Sequence, residues 1–162
     1  MQQKEFRLTY EEYGSEQELP AADAGLLQAA KKATVDAYAP YSHFRVGAAA
    51  RLVNGEIITG TNQENASFPA GICAERTLLS VAAARFPGIA IDTLAISYDN
   101  EQGASDRPIS PCGICRQSLQ EFEQRTHRPI RLILGGLKGP VFILPQAGQL
   151  LPLAFTSDEL QK

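Results

Sequence analysis

The chain has 162 residues, a formal net charge of −3 and 44% hydrophobic residues, which is typical of a soluble globular protein that folds as one domain over residues 1–162. The acidic balance argues against a nucleic-acid-binding protein, because phosphate groups are usually bound by a basic surface. No apolar run reaches the roughly 18 residues that span a bilayer, and the first residues lack the basic and apolar segments of a signal peptide, so we expect a cytoplasmic protein that binds no membrane.

The predicted elements begin within an N-terminal extension of about 20 residues that precedes the rest of the domain. Residues 5–12 of this extension alternate apolar Phe6, Leu8 and Tyr10 with polar residues, which favours a short strand. The sequence leaves open whether the extension adds an edge strand, covers an interface or is partly disordered.

Helices and strands then alternate along the sequence. Residues 21–38 place apolar side chains at helical spacing, and Pro40 marks the end of that helix. Asn54-Gly55 is typical of a β-hairpin turn, and Pro87-Gly88 ends a second helix. In chain order we predict a strand over 5–12, a helix over 21–38, strands over 44–53 and 56–61, a helix over 74–86, a strand over 94–98, a helix over 113–125 and strands over 129–134 and 141–144. This order predicts an α/β protein with a mixed sheet and helices packed on its faces.

The three cysteines belong to two short motifs, each at the start of a predicted helix. Cys73-Ala74-Glu75 opens one helix, and Pro111-Cys112-Gly113-Ile114-Cys115 opens another. Cytoplasmic thiols are kept reduced, so we expect these cysteines to bind a metal or act in catalysis. A Cys-x-x-Cys spacing lets two sulfurs reach one zinc ion, and a helix N-terminus favours the thiolate form. If the two helices start side by side, the first motif supplies a third sulfur.

Three protein ligands leave the fourth position of a zinc ion open, which is typical of a catalytic site. A water at that position becomes acidic near neutral pH, and Glu75 is placed to carry its proton without being a ligand. We expect Arg76 to offset the net charge of about −1 on a zinc trithiolate and to donate hydrogen bonds to the sulfurs. The alternative for Arg76 is an ordinary surface arginine.

Two other interpretations of the cysteines are a structural zinc site and a redox dithiol. A structural site needs a fourth ligand, and the histidines of the sequence are His43 and His127. Such a site does not need Glu75. Zinc deaminases carry a His or Cys, a Glu two residues later, and then Pro-Cys-x-x-Cys, which is the arrangement found here.

With these motifs the protein resembles the small cytidine deaminases, in their homotetrameric branch that holds zinc with three cysteines. The resemblance covers about residues 21–156 and rests on several motifs in the same order. They are Tyr41-Ser42-His43-Phe44-Arg45-Val46-Gly47-Ala48-Ala49, Asn62-Gln63-Glu64-Asn65-Ala66-Ser67, Cys73-Ala74-Glu75-Arg76-Thr77, Ser110-Pro111-Cys112-Gly113-Ile114-Cys115-Arg116-Gln117 and Leu150-Leu151-Pro152-Leu153-Ala154-Phe155. The resemblance implies three layers, with a mixed β-sheet between helices on both faces. It also implies zinc-dependent hydrolytic deamination of cytidine and deoxycytidine, in pyrimidine salvage, by a homotetramer.

The resemblance further implies one Zn²⁺ per subunit, held by Cys73, Cys112 and Cys115. Glu75 would be the proton shuttle of the reaction. Phe155 is similar to an aromatic residue that reaches the site of a neighbouring subunit.

The same resemblance implies how a nucleoside is bound. The ring of Phe44 would pack against the pyrimidine, while Asn62 and Glu64 would hydrogen-bond the ribose 3′-hydroxyl. The backbone N–H of Ala74 would hold the base carbonyl, and the backbone carbonyl of Ser110 would receive the leaving amino group. Judged without the resemblance, Phe44 is a core residue, and the pair at 62 and 64 caps or turns the end of a strand.

Two features depart from the family: the N-terminal extension, and a loop over residues 100–107 that is longer than expected. Gly135-Gly136 predicts a turn or tight packing and is too short for a phosphate loop. The alternatives left open are a deaminase of another nucleoside such as blasticidin S, an editor of bases in nucleic acid, and a non-catalytic zinc-stabilised binding module. The pair Asn62 and Glu64 favours ordinary nucleosides, and the acidic sequence lacks a basic, aromatic run to guide a nucleic-acid strand.

Overall fold

Six strands pair into one mixed sheet, and helices cover both of its faces. The computed structural model describes residues 1–160, so residues 161 and 162 of the predicted domain lie outside the described part. In chain order the elements are β1 (Glu11–Tyr13), α1 (Ala21–Ala33), β2 (Phe44–Leu52), β3 (Ile57–Thr61), α2 (Ala74–Arg85), β4 (Ile91–Asn100), α3 (Gly113–Thr126), β5 (Arg131–Gly135) and β6 (Val141–Leu144). Within residues 1–160, no helix is both long enough and apolar enough to cross a membrane.

The strand order places the starts of two helices at the same end of the sheet. The order is β1-β6-β5-β4-β2-β3, with β4 and β5 parallel and the other neighbours antiparallel. Because β3 and β4 both run antiparallel to β2, they run parallel to each other. Thus α2 connects β3 to β4 and α3 connects β4 to β5, and each helix begins beyond the carboxyl end of the strand before it. In α/β sheets this end is where ligands usually bind.

Two hydrophobic clusters separate the three layers. On one face, α1 packs through Leu27 against Ile133 of the sheet. On the other face, Leu78 of α2 and Leu119 of α3 pack against the sheet around Leu94. This arrangement confirms the predicted α/β class, a mixed sheet with helices on both faces.

The N-terminal extension adds an edge strand to this sheet. The strand predicted over residues 5–12 is wrong for residues 5–10: β1 begins at Glu11, ends at Tyr13 and pairs with β6, which itself has four residues. The partner strand therefore ends before Phe6 and Leu8, whose side chains stay exposed. Tyr10 continues the contact beyond β1 by packing on the ring of Phe142, at 4.8 Å between ring centroids.

The other elements follow the predicted order with shifted bounds. The helix predicted over 21–38 ends at Ala33, and a single 3₁₀ turn, Thr34–Asp36, follows it. The strand predicted over 94–98 runs from Ile91 to Asn100, because β4 lies in the middle of the sheet and β2 pairs with its whole length. Polar residues at its ends, such as Asp92 and Asp99, hide this length in the sequence.

The turn between β5 and β6 holds the long loop over residues 100–107. A Cβ atom added at Gly136 would lie 2.4 Å from the carbonyl oxygen of Ser105, and one at Gly139 would lie 2.1 Å from that of Asp106. These distances allow no side chain, so the loop backbone rests directly on the turn. The prediction of tight packing at Gly135-Gly136 is confirmed.

Glycine at position 60 lets α2 lie directly on the backbone of β3. A Cβ atom added at Gly60 would lie 2.5 Å from the amide nitrogen of Leu78 and 2.6 Å from the carbonyl oxygen of Ala74. Both contacts are to the first turns of α2, which contain Glu75 and directly follow Cys73. The position of the start of α2 therefore depends on the absence of a side chain at position 60.

We predict that Gly60→Ala lowers the free energy of unfolding by about 1–3 kcal/mol or more, since the added methyl must displace helix backbone. The measurement is chemical denaturation followed by circular dichroism. Gly25→Ala is the matched control: a Cβ atom there meets nothing within 4 Å, and Gly25 lies inside α1. This control should raise stability by about 0.5–1 kcal/mol. Equal stability of the Gly60→Ala protein and the wild type would contradict the packing argument.

Candidate metal centre and active site

The three cysteines lie together because α2 and α3 begin side by side. Cys73 immediately precedes α2, Cys112 immediately precedes α3, and Cys115 lies in the first turn of α3. Their Sγ atoms all lie within 4.8 Å of one another. The separation is 3.7 Å between Cys73 and Cys112 and 3.4 Å between Cys112 and Cys115.

This spacing fits a zinc ion. Two sulfurs bound to one tetrahedral zinc at about 2.3 Å lie about 3.8 Å apart, close to the separations found here. Among residues 1–160, Cys73, Cys112 and Cys115 form the metal-ligand group, and no carboxylate or imidazole belongs to it. His43 instead contacts Glu101 at 3.2 Å, and His127 follows the far end of α3. The donor set therefore supplies three thiolates and leaves a fourth ligand position to a molecule other than the protein.

The environment of the sulfurs favours a thiolate at Cys73. A hydrogen bond from the Cys115 thiol lowers the pKa of Cys73 to about 6, although burial and the nearby carboxylate of Glu75 oppose this shift. The same hydrogen bond raises the pKa of Cys115, which is fully buried. Cys73 is therefore readily ionised to a thiolate that can bind a metal ion. Cys112 is exposed, so the cluster is accessible to solvent.

Glu75 is a buried carboxylate beside this cluster. Its side chain lies in the first turn of α2 and only 5% of its surface is exposed. Burial raises the pKa of Glu75, and hydrogen bonds from its own backbone N–H and from Cys115 offset part of this effect. A carboxylate with a raised pKa accepts a proton more readily than an ordinary carboxylate, which suits general acid–base catalysis.

Two arginines flank the metal centre. Arg76 lines a cleft between α2 and α3, and its positive charge is among the factors that lower the pKa of Cys73. Arg116 was not singled out by the sequence analysis. It donates hydrogen bonds to the carbonyl oxygens of Pro111 at 2.8 Å and Leu150 at 3.0 Å, and so fixes the residue before Cys112. The family motif contains Arg116 but does not reveal these contacts, because both of its acceptors are backbone atoms.

Asn62 lies at the end of β3 and bonds to the start of β2. Its side-chain oxygen accepts the N–H of Val46 at 2.8 Å, and its side-chain nitrogen donates to the carbonyl oxygen of Phe44 at 2.9 Å. The amide thereby continues the pairing of β2 and β3 by one residue. Within residues 1–160 the side-chain nitrogen donates to Phe44 alone, which leaves one of its two N–H groups for another acceptor.

Glu64 borders a cleft of about 420 Å³ lined by Tyr41, Ser42, Glu64, Asn65, Phe68 and Gly71. One carboxylate oxygen of Glu64 accepts the backbone N–H groups of Tyr41 at 2.9 Å and Ser42 at 3.3 Å. Partial burial raises the pKa of Glu64, but these N–H groups and the Ser42 hydroxyl outweigh it, and the pKa falls below its ordinary value. The cleft is therefore bordered by an ionised carboxylate.

The remaining residues of the predicted site lie around the helix starts and on the surface. Ala74 is fully buried as the first residue of α2, where a backbone N–H has no acceptor within the helix. Ser110 is exposed, two residues before Cys112. Phe155 is 58% exposed, and its carbonyl oxygen accepts a hydrogen bond from Gln117 of α3 at 2.8 Å.

Comparison with known proteins identifies the family of this protein. Residues 20–128 match the family described as cytidine and deoxycytidylate deaminase zinc-binding region, so the N-terminal extension lies outside the matched part. The sequence is 37% identical over 135 residues to the cytidine deaminase of Halalkalibacterium halodurans, covering 83% of this protein and 95% of that one. It is 38% identical over 136 residues to the cytidine deaminase of Sporosarcina psychrophila, covering 83% and 92%.

Solved structures give the same family. The cytidine deaminase of Burkholderia pseudomallei superposes with a TM-score of 0.70 at 40% identity, covering 81% of this protein and 97% of that one. The cytidine deaminase of Mycobacterium leprae superposes with a TM-score of 0.61 at 30% identity, covering 79% and 95%.

We predict that the purified protein holds one zinc ion per subunit and that Cys112→Ala loses most of it, because two sulfurs bind zinc more weakly than three. The measurement is inductively coupled plasma mass spectrometry after dialysis against a weak chelator. Cys112 is exposed, so its removal should leave the fold intact. His127→Ala is the control and should keep its zinc. A Cys112→Ala protein with full zinc content would overturn the ligand assignment.

Proposed function

The protein belongs to the cytidine and deoxycytidylate deaminase family, and from this premise we propose that it hydrolyses cytidine and deoxycytidine to uridine and deoxyuridine with release of ammonia. The observation that carries this proposal is a cluster of three cysteines that leaves one metal position open, with one buried carboxylate beside it. A binding module stabilised by zinc would have no use for a carboxylic acid placed there.

Cys73, Cys112 and Cys115 would hold one Zn²⁺ at this site. When bound, zinc supplies Lewis acidity, which lowers the pKa of a water molecule towards neutrality. The negative charge of three thiolates is partly offset by the positive N-terminal ends of α2 and α3 and by the charge of Arg76. We assign Arg76 to this charge balance.

Glu75 moves the protons of the reaction. Its carboxylate accepts a proton from the attacking water and delivers it to ring N3, and it then carries the second proton to the departing amino group. Carbon 4 gains one oxygen and loses one nitrogen, so one water is consumed and one ammonia is released. The raised pKa of Glu75 suits this role, because the same group must hold and release a proton in each turnover.

The residues around the metal centre bind the nucleoside. The N–H of Ala74 donates to the base carbonyl, the backbone carbonyl of Ser110 accepts from the amino group, and the ring of Phe44 packs on the pyrimidine. Asn62 and Glu64 bind the ribose 3′-hydroxyl. A hydroxyl both accepts and donates, so it can accept from the amide N–H of Asn62 and donate to the carboxylate of Glu64. The spare N–H of Asn62 and the ionised state of Glu64 support this assignment.

We further propose that the active protein is a homotetramer in the cytoplasm that acts in pyrimidine salvage. The side chain of Phe155 supports a shared site, since it is exposed although its backbone is tied to α3 close to Cys115. An aromatic ring held on the surface at that point is available to a neighbouring subunit.

The function is tested by mixing zinc-replete protein with cytidine and following the loss of cytosine absorbance together with ammonia release. Deoxycytidine, cytidine monophosphate, cytosine and blasticidin S are assayed in parallel. We expect turnover of the two nucleosides and little of the others. Turnover of blasticidin S alone would keep the zinc chemistry and reassign Asn62 and Glu64, whereas no turnover of any substrate by zinc-loaded protein would favour a binding module.

We predict that Glu75→Gln lowers kcat for cytidine by about 10²–10⁴-fold, the range for loss of a general acid–base. The variant has nearly the same shape, so zinc content and melting temperature should match those of the wild type. Glu56→Gln, an exposed substitution in the hairpin turn between β2 and β3, is the control and should leave kcat unchanged. A Glu75→Gln enzyme within about tenfold of wild-type kcat would refute the role of this residue.

A further inference from the structure

Phe44 and Tyr98 lie side by side on one face of the sheet. In the pairing of β2 with β4, Phe44 lies opposite Asn100 and Val46 lies opposite Tyr98. Residues two apart on a strand point to the same face, so the two rings are diagonal neighbours. Val46 packs with the cluster that holds α2 and α3, so this is also the face on which the cysteine cluster lies.

The two rings are stacked. Their centroids are 4.9 Å apart and their planes differ by 15°, an arrangement that aromatic pairs favour. Tyr98 is buried, with 2% of its surface exposed, whereas Phe44 is only partly buried. Tyr98 is therefore the fixed member of the pair, and its ring backs the more accessible one.

The backbone of Phe44 is held as well. Its N–H donates to the hydroxyl of Ser42 at 3.1 Å, and its carbonyl oxygen accepts from the amide of Asn62 at 2.9 Å. These bonds fix the backbone but leave the side-chain torsions free. Side chains in strands commonly choose between two χ1 rotamers, and the stack with Tyr98 is a contact of the Phe44 ring that favours one orientation over the other.

We propose that Tyr98 is a positioning residue for nucleoside binding. Tyr98 holds the ring of Phe44 in one orientation before the substrate binds. The entropic cost of ordering that ring is then not subtracted from the free energy of binding. This inference rests on the proposed function, in which Phe44 packs on the pyrimidine. Tyr98 belongs to β4 and acts through Phe44, whereas Glu75 and the cysteines lie on or next to α2 and α3, so its loss affects binding and leaves the proton transfers intact.

To test this proposal, the aromatic ring of Tyr98 is replaced, and KM and kcat for cytidine are measured separately, together with the zinc content of each variant. We expect Tyr98→Leu to raise KM about three- to tenfold while kcat stays within about twofold and zinc remains at one per subunit. Tyr98→Phe keeps the ring and should restore the wild-type KM. An unchanged KM in Tyr98→Leu, or the same rise in Tyr98→Phe, would overturn the inference. If Tyr98→Leu fails to fold, Tyr98→Met, which fills more of the same space, takes its place with the same expectations.

A second ring pair gives a matched control. Tyr10 packs on Phe142 at 4.8 Å between ring centroids, in a tilted arrangement at the β1 edge of the sheet, so Tyr10→Leu removes a ring contact of the same separation away from β2 and β4 and should leave KM unchanged. A KM rise in Tyr10→Leu equal to that in Tyr98→Leu would mean that loss of any ring–ring contact in the sheet has this effect, which would refute the inference.

A double-mutant cycle with Phe44→Ala separates the inference from its premise. If Tyr98 acts through Phe44, adding Tyr98→Leu to Phe44→Ala should raise KM no further. A full additional rise in the double variant would refute the positioning role. If Phe44→Ala alone leaves KM unchanged, the failure lies in the proposed packing of Phe44 on the base, and deamination by the wild type still stands.

Discussion

The starts of α2 and α3 lie next to each other at one end of the sheet, and the candidate chemistry depends on this contact. Each helix connects two parallel strands, so each begins beyond the carboxyl end of the strand before it. Gly60 brings the first of these helices down onto the backbone of β3. Cys73 and Cys112 are 39 residues apart in the sequence, yet the three sulfurs lie within 4.8 Å of one another. A shift of either helix start would separate them.

The two adjacent helix starts also set the electrostatic environment of the metal centre. Helix N-termini carry partial positive charge that favours thiolates, whereas Glu75 is buried beside them and adds a negative group. The raised pKa of Glu75 and the lowered pKa of Cys73 are two results of one crowded site. Perturbed pKa values of this kind cluster at functional sites.

The residues proposed to bind the substrate are held by hydrogen bonds to the backbone between the ends of β2 and β3. Asn62 closes the end of β3 onto β2 through Phe44 and Val46, and Glu64 accepts the N–H groups that precede Phe44. The residues proposed to touch the sugar therefore also hold the segment proposed to touch the base. The buried ring of Tyr98 stacks on Phe44 of that segment.

The zinc motif, the order of elements and the α/β class could be predicted from the amino-acid sequence, because these depend on local signals: residue spacing, helix and strand periodicity, and turn residues such as Asn54-Gly55. The length of β4, the pairing of β1 with β6, and the contacts of Arg116 and Tyr98 followed only from the three-dimensional packing. These features depend on a partner distant in the sequence: a strand extends as far as its neighbour does, and an arginine or an aromatic ring acquires its role from the atoms it meets. Local patterns encode which element forms, and only packing decides what each side chain touches.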